Sequence, residues 1–352
     1  MSSPPTQISI FIPVYNDARW LPGAIESVRA QRHENWELVV GDNASSEDIE
    51  SIVCAYGDDR LRYHRWPTHV PIDENFNRTA TLTRYPWVQL LCADDRLRPD
   101  CLARIAATIE THPADAERLA MVVTACRRLD EQGRSADHIW YGTKRPFPME
   151  TRIYDSESWF RLNLSDGRPP WNVGSVAVSR AVLEESCGFF RPEVGLSCDI
   201  ELSLRASAYG AVAYIDEPLL DFMVRSDADS SIRHLMNRSR GDERTPVEVA
   251  WLAGLNVHRH RRAVSESERR LVRVAIARSH LQRAAQHRVL PDGRGRRGAM
   301  ADIATAWRSS WRTVLKPYQL AYAMAAVLAP TFLLRLAKRR MSAPMGALPA
   351  ER

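Results

Sequence analysis

Residues 8–14, ISIFIPV, are apolar almost without a break, the pattern of a strand buried on both faces of a parallel sheet. Trp20, Leu21, Ala24, Ile25 and Val28 then recur at helical spacing, and residues 36–42, WELVVGD, form a second apolar run. Strand, helix and strand in this order make a βαβ unit. The alternation continues with strands expected at 61–66 and 86–92, helices at 73–84 and 99–112, and a strand at 119–126. Such alternation predicts an α/β domain with a mostly parallel sheet flanked by helices. Ligands of such sheets collect at the carboxyl ends of the strands. Asp17, Asp42 and the adjacent pair Asp94 and Asp95 all fall at or just beyond predicted ends.

Residues 135–172 break the pattern, with Pro146, Pro148, Pro169 and Pro170 among Trp140, Tyr141, Trp159, Phe160 and Trp171. Either a ligand-lining segment or a loop packed by its own aromatics fits. Order returns with a strand expected at 173–179, a helix at 198–210 and a strand at 211–217. Past Ser239 the chain turns arginine-rich and helical, with HRHRR at 258–262 and GRGRRG at 293–298. The expected division is a catalytic α/β domain over 1–235 and a helical region over 236–352. Within the latter, residues 317–334 carry no charge and precede RLAKRR. Eighteen residues reach roughly 27 Å as a helix, but Pro330 interrupts the run. A membrane-surface helix with a basic flank, or a buried helix, fits it better than a full span. The two histidines in HRHRR, one residue apart with no partner pair nearby, do not make a metal site.

Length and charge change this picture little. At 352 residues the chain exceeds the usual limit of a single core, in keeping with two regions. The formal charge of +5 comes from 48 basic residues, of which only Lys144, Lys316 and Lys338 are lysine. Six cysteines without a CxxC or a regular framework suit a reducing compartment. The first residues, MSSPPTQISIFIPVYN, lack the layout of a signal peptide, so the cytoplasm is the expected location.

Read together, Pro13-Val14-Tyr15-Asn16, Asp42-Asn43-Ala44-Ser45, the Asp94-Asp95 pair and Cys198-Asp199-Ile200-Glu201-Leu202-Ser203-Leu204-Arg205 closely resemble a family 2 glycosyltransferase. These are inverting, nucleotide-sugar-dependent enzymes with the GT-A fold. The resemblance covers about residues 7–230 and implies a role for each motif. Asp95 would hold Mn²⁺ or Mg²⁺, and Asp94 would face the ribose or donor sugar. Asp42 would accept from the nucleobase in a pocket bounded by Pro13, Tyr15 and Asn16, although a helix-capping role fits the same spacing. Asn75 and Arg78 match a segment that approaches the donor, where Arg78 could equally form a surface salt bridge. Asp199 would be the general base that takes the acceptor's proton, with a helix cap as the alternative. Cys198 replaces a frequent Glu. Relatives carry R-x-H where this chain has Arg225-Ser226-Asp227, which makes Asp227 a candidate metal ligand, since a carboxylate suits a hard cation.

The implied donor is a nucleoside diphosphate sugar, a UDP-sugar first. The implied acceptor is a sugar or a lipid-linked sugar, with an anionic membrane surface as a further partner and no nucleic acid. An oxidoreductase is disfavoured because no GxGxxG follows the first strand. A polysaccharide polymerase is disfavoured because no Gln-x-x-Arg-Trp occurs. A donor-binding or scaffold protein that has lost transfer, and an RNA-binding protein using the arginine-rich half, complete the alternatives.

Overall fold

The first two apolar runs are strands with the expected bounds, β1 (Ile8–Val14) and β2 (Trp36–Asp42), and every residue of both is buried. Between them α1 (Leu21–Arg29) buries Leu21, Ala24, Ile25 and Val28, the residues whose spacing predicted it. The computed structural model describes residues 5–328 apart from 114–115, 137–149, 165–170, 187, 192–193, 195–196, 226–245 and 290–294. After β2 come α2 (Ile49–Cys54), β3 (Leu61–Arg65), α3 (Ile72–Ala80), β4 (Trp87–Leu90), β5 (Arg96–Leu97), α4 (Cys101–Glu110) and β6 (Leu119–Asp130). Then follow β7 (Arg152–Tyr154), α5 (Ser156–Asn163), β8 (Val176–Ser179), α6 (Arg180–Glu185), α7 (Cys198–Ser207) and β9 (Ala211–Val224).

The sheet runs β3-β2-β1-β4-β8-β6-β9-β5, with β7 also paired to β9. β1 to β4, β6 and β9 point one way, while β8, β5 and β7 run against them, so the sheet is mixed but mostly parallel. Alternate β1 side chains divide the core. Ile8, Ile10, Ile12 and Val14 pack with α1, α2 and α4, and Phe11 packs with α5, α6 and α7 on the opposite face. Because β2 and β3 lie to one side of β1 and β4 to the other, the chain reverses its direction of progress beside β1. A crevice opens at the carboxyl ends of strands at such a point.

Four helices follow, α8 (Pro246–Arg261), α9 (Glu266–Val289), α10 (Gly295–Val314) and α11 (Pro317–Leu328). α8 lies directly on α7. A Cβ at Gly254 would come within 2.7 Å of the Leu204 Cβ, so only glycine permits this approach. His258 is fully buried and its Nε2–H donates to the Leu204 carbonyl at 2.9 Å, while burial and Arg262 push its pKa down to about 4. The first histidine of HRHRR is thus a neutral link between the two regions. Phe160, Leu164 and Leu204 form one apolar cluster with Val272, Ala275 and Ile276. Deeper in the helical region His280 lies between Glu248 at 2.8 Å and Asp302 at 2.7 Å. These carboxylates raise its pKa against the opposing effect of burial. Among the described residues no helix is long and apolar enough to cross a membrane.

Candidate functional site

Three chain segments meet at the carboxyl ends of β1, β2 and β4. The loops after β1 and β2 are tied together: Ser46 N donates to Asn16 Oδ1 at 2.8 Å and Asn16 N donates to Ser45 Oγ at 3.0 Å. Asn16 (φ 52) and Ala44 (φ 58) both occupy the left-handed region. That is a mild demand on Asn and a costly one on Ala, worth about 1–2 kcal/mol. Strain of this kind gathers at functional sites.

Asp42, at the end of β2, is fully buried. Its Oδ1 accepts from Ser45 N at 2.8 Å, and its Oδ2 accepts from Tyr63 Oη at 2.8 Å and Arg65 Nη1 at 2.7 Å. It does not cap α2, whose cap is Asp48. Tyr63 is pushed up to about 12 by burial and by its bond to Asp42. The Tyr15 ring is half exposed and lies 4.4 Å from the His69 ring. Arg78 reaches the β2 loop from α3, with its guanidinium 4.6 Å from the Trp66 ring centroid and bonded to Asn43, Asn75 and the Thr68 carbonyl. α3 can approach this closely because a side chain at Gly41 would clash with Thr79. Asn16 is thus linked to Asp42 through Ser45, and Asn75 to Asn43 through Arg78, while Pro13 pairs with Gly41 beside Asp42. Tyr63 and Arg65, which bond Asp42, and His69, against Tyr15, were not foreseen. Tyr63 and Arg65 stand two apart on β3, and the parallel register that sets Arg65 beside Asp42 is the signal that would have found them.

The acidic pair lies at the end of β4. Asp95 is fully buried, and its Oδ1 accepts from Met223 N at 2.9 Å while its Oδ2 has no hydrogen-bond partner among the described residues. Burial, and next the charge of Asp94, push its pKa well above the ordinary range. Asp94 is raised to about 6 by burial and by Asp17, against the opposing charge of Arg225. Arg225, just past β9, bonds Asp17 at 2.8 Å and stands 3.6 Å from Asp94. Oxygens of Asp94 and Asp95 and the Cys92 sulfur lie within 4.8 Å of one another. A buried carboxylate oxygen without a partner beside a second carboxylate fits a hard divalent cation, whose preferred ligands are oxygens. Asp227 lies outside the described residues.

Asp199 is in the first turn of α7. Its Oδ1 accepts from Ile200 N at 2.8 Å, and its pKa is raised to about 6 by burial, against the opposing effects of that bond and of Arg128. Its neighbour Cys198 adds, after burial and the nearby carboxylates, to the upward shift of the partly buried Cys92 thiol. In the same helix, Glu201 and Arg205 are both fully buried. Arg205 is bidentate to Glu201 at 2.8 and 3.1 Å and also donates to the carbonyls of Ser186, Gly188 and Phe189. This buried pair was not foreseen as an anchor for the start of α7. The described aromatics of the irregular segment do not line the site. Trp159 and Trp171 stack in the core with ring centroids 6.3 Å apart, and Trp159 Nε1 donates to Ser203 on α7 at 2.7 Å.

Residues 9–160 match the family model described as glycosyl transferase family 2. Over these residues the chain is similar to family 2 glycosyltransferases. Over 112 residues it is 38% identical to a PGL/p-HBAD biosynthesis glycosyltransferase of Mycobacterium bovis, covering 30% of this chain and 43% of that one. Over 140 residues it is 43% identical to an uncharacterized glycosyltransferase of Rickettsia felis, covering 39% and 22%. The chain thus spans less than half the length of these curated relatives. In structure it is similar to S. aureus TarS residues 1–349, with a TM-score of 0.63 at 14% identity over 95% of this chain and 92% of that one. A complex of the same protein with UDP gives a TM-score of 0.64 at 15% identity, with the same coverage. The α/β region has the GT-A fold expected from the sequence, and the likeness to TarS extends over the helical region as well.

Proposed function

We propose that the protein transfers a single sugar, with inversion, from a nucleoside diphosphate sugar to an acceptor hydroxyl. The observation that carries this reading is Asp95, buried with one carboxylate oxygen unbonded among the described residues and set beside Asp94 at the end of β4; Asp42 at the end of β2 and Asp199 at the start of α7 support it. The nucleobase would enter between Tyr15 and Arg78, with Asp42 held in place by Tyr63 and Arg65. Asp94 would face the ribose or donor sugar. Asp95, helped by Asp94, would hold Mn²⁺ or Mg²⁺, which when bound would neutralise charge on the β-phosphate. Asp227 is the candidate for a further ligand. Asp199 would take the proton from the acceptor hydroxyl as that oxygen bonds to the anomeric carbon. The bond from that carbon to the phosphate oxygen breaks on the opposite face, and the nucleoside diphosphate leaves.

A UDP-sugar is the first donor to test, since TarS is known in complexes with UDP and UDP-GlcNAc. A sugar or lipid-linked acceptor in bacterial cell-surface polysaccharide or glycolipid assembly, at the cytoplasmic face of an anionic membrane, fits a relative named for PGL/p-HBAD biosynthesis.

Calorimetric titration of UDP, GDP and TDP, with Mn²⁺ and then with EDTA, tests the donor half. One diphosphate should bind with Mn²⁺, and binding should vanish with EDTA and in Asp95→Ala. Equal binding in all of these conditions removes the metal role, and no binding of any diphosphate removes the donor site.

A further inference from the structure

Among the described residues eight large apolar side chains are exposed, and six of them fall between residues 300 and 324. On α10 these are Met300 (60% exposed), Trp307 (49%) and Trp311 (50%), and Leu315 (46%) follows directly after the helix. On α11 they are Leu320 and Met324. The charges between them are of one sign. Arg308, Arg312 and Lys316 are exposed, and the only acidic residue from 295 to 328 is Asp302. That residue is 3% exposed and turned inward to His280 and Arg283. α10 is broken at Ser310 (φ −161, ψ 85), so a tryptophan is presented on each side of the break.

We infer that this α10–α11 surface docks on an anionic lipid bilayer. Tryptophan combines an apolar ring with an N–H donor and is enriched where hydrocarbon meets headgroups. A helix lying in that interface buries Trp, Leu and Met while basic residues beside them meet anionic headgroups. A second copy of this chain would set the same cationic surface against itself. A nucleic acid would satisfy the arginines but leave Met300, Leu315, Leu320 and Met324 in water. Leu320 and Met324 fall within the apolar run at 317–334 that the sequence pointed to, of which residues 329–334 lie outside the described residues, and the two tryptophans lie before it. The inference rests on the proposed function only for its purpose, to bring the site to a lipid-linked acceptor.

The test is co-sedimentation of the full chain with phosphatidylcholine vesicles with and without phosphatidylglycerol, alongside nucleotide calorimetry on the same preparations. The parent should bind the phosphatidylglycerol vesicles and release as salt rises. Replacing Arg308 and Arg312 together by Gln should weaken binding about 30-fold, from roughly a factor of five for each basic residue at the surface. Trp307→Ala with Trp311→Ala should abolish vesicle binding and leave the thermal transition and nucleotide binding unchanged. Vesicle binding that persists in the tryptophan variant overturns the inference, as does equal binding to both vesicle types. Self-association or RNA binding that replaces vesicle binding and is lost in that variant assigns the surface elsewhere and also overturns it. Vesicle binding by a chain that binds no nucleotide would leave this inference standing and remove the proposed function.

Discussion

Asp199→Asn is expected to bind donor nucleotide as the parent does and to lose about 10²–10⁴-fold in transfer, the usual contribution of a positioned general base. The amide keeps the size and the bond from Ile200 N but cannot take a proton. The N-cap of α7 is Ser197 and not Asp199, and an amide oxygen would accept from Ile200 N as the carboxylate does. Retained transfer would therefore remove Asp199 from the role of base. The parent's own pH profile adds a second reading. The base must be ionised, and burial raises Asp199 to about 6. Transfer measured under saturating donor should thus be level above that pH and fall about tenfold for each unit below it. A profile flat to pH 4.5 would overturn the assignment.

Glu201→Ala is expected to cost about 3–5 kcal/mol of folding stability, because it strands the Arg205 guanidinium as an uncompensated buried charge. Urea denaturation of parent and variant reads this directly. Replacing both partners by apolar residues of similar volume, Glu201→Leu with Arg205→Met, should recover only part of the loss, because the carbonyls that Arg205 holds would lose their donor. If the single variant is as stable as the parent, the pair is not the anchor its burial implies. Since Arg205 also holds the carbonyls of Ser186, Gly188 and Phe189, its loss should loosen the chain leading into Asp199.

What could be read in the sequence follows from how local its cause is. β1 and β2 were legible to the residue because a strand covered on both faces must be apolar throughout. β5, of two residues, and β7, of three, have no periodicity to read and exist because β9 offers them hydrogen-bonding edges. α5 went unseen among prolines and aromatics, although Asp155, which caps it through Ser158 N, stands just before Trp159 and Phe160. The acidic pair was legible as carboxylates ending an apolar run. Its counterion was not: Arg225 reaches Asp17 across 208 residues, a contact set by strand order. Tyr63 and Arg65 escaped notice for the same reason, since an ordinary strand residue becomes part of a site only through its neighbour in the sheet.

The contact of Gly254 with Leu204 bears on how such enzymes can be recombined. A chimera cut near residue 235 would separate α8 from the helix that bears Asp199, exposing Leu204 and removing the imidazole that bonds its carbonyl. Any side chain on the incoming α8 at the glycine position would push the two helices apart. The exchangeable module is therefore α5, α7 and α8 moved as one block, and a donor pocket built on β1 to β4 could be kept while that block is replaced.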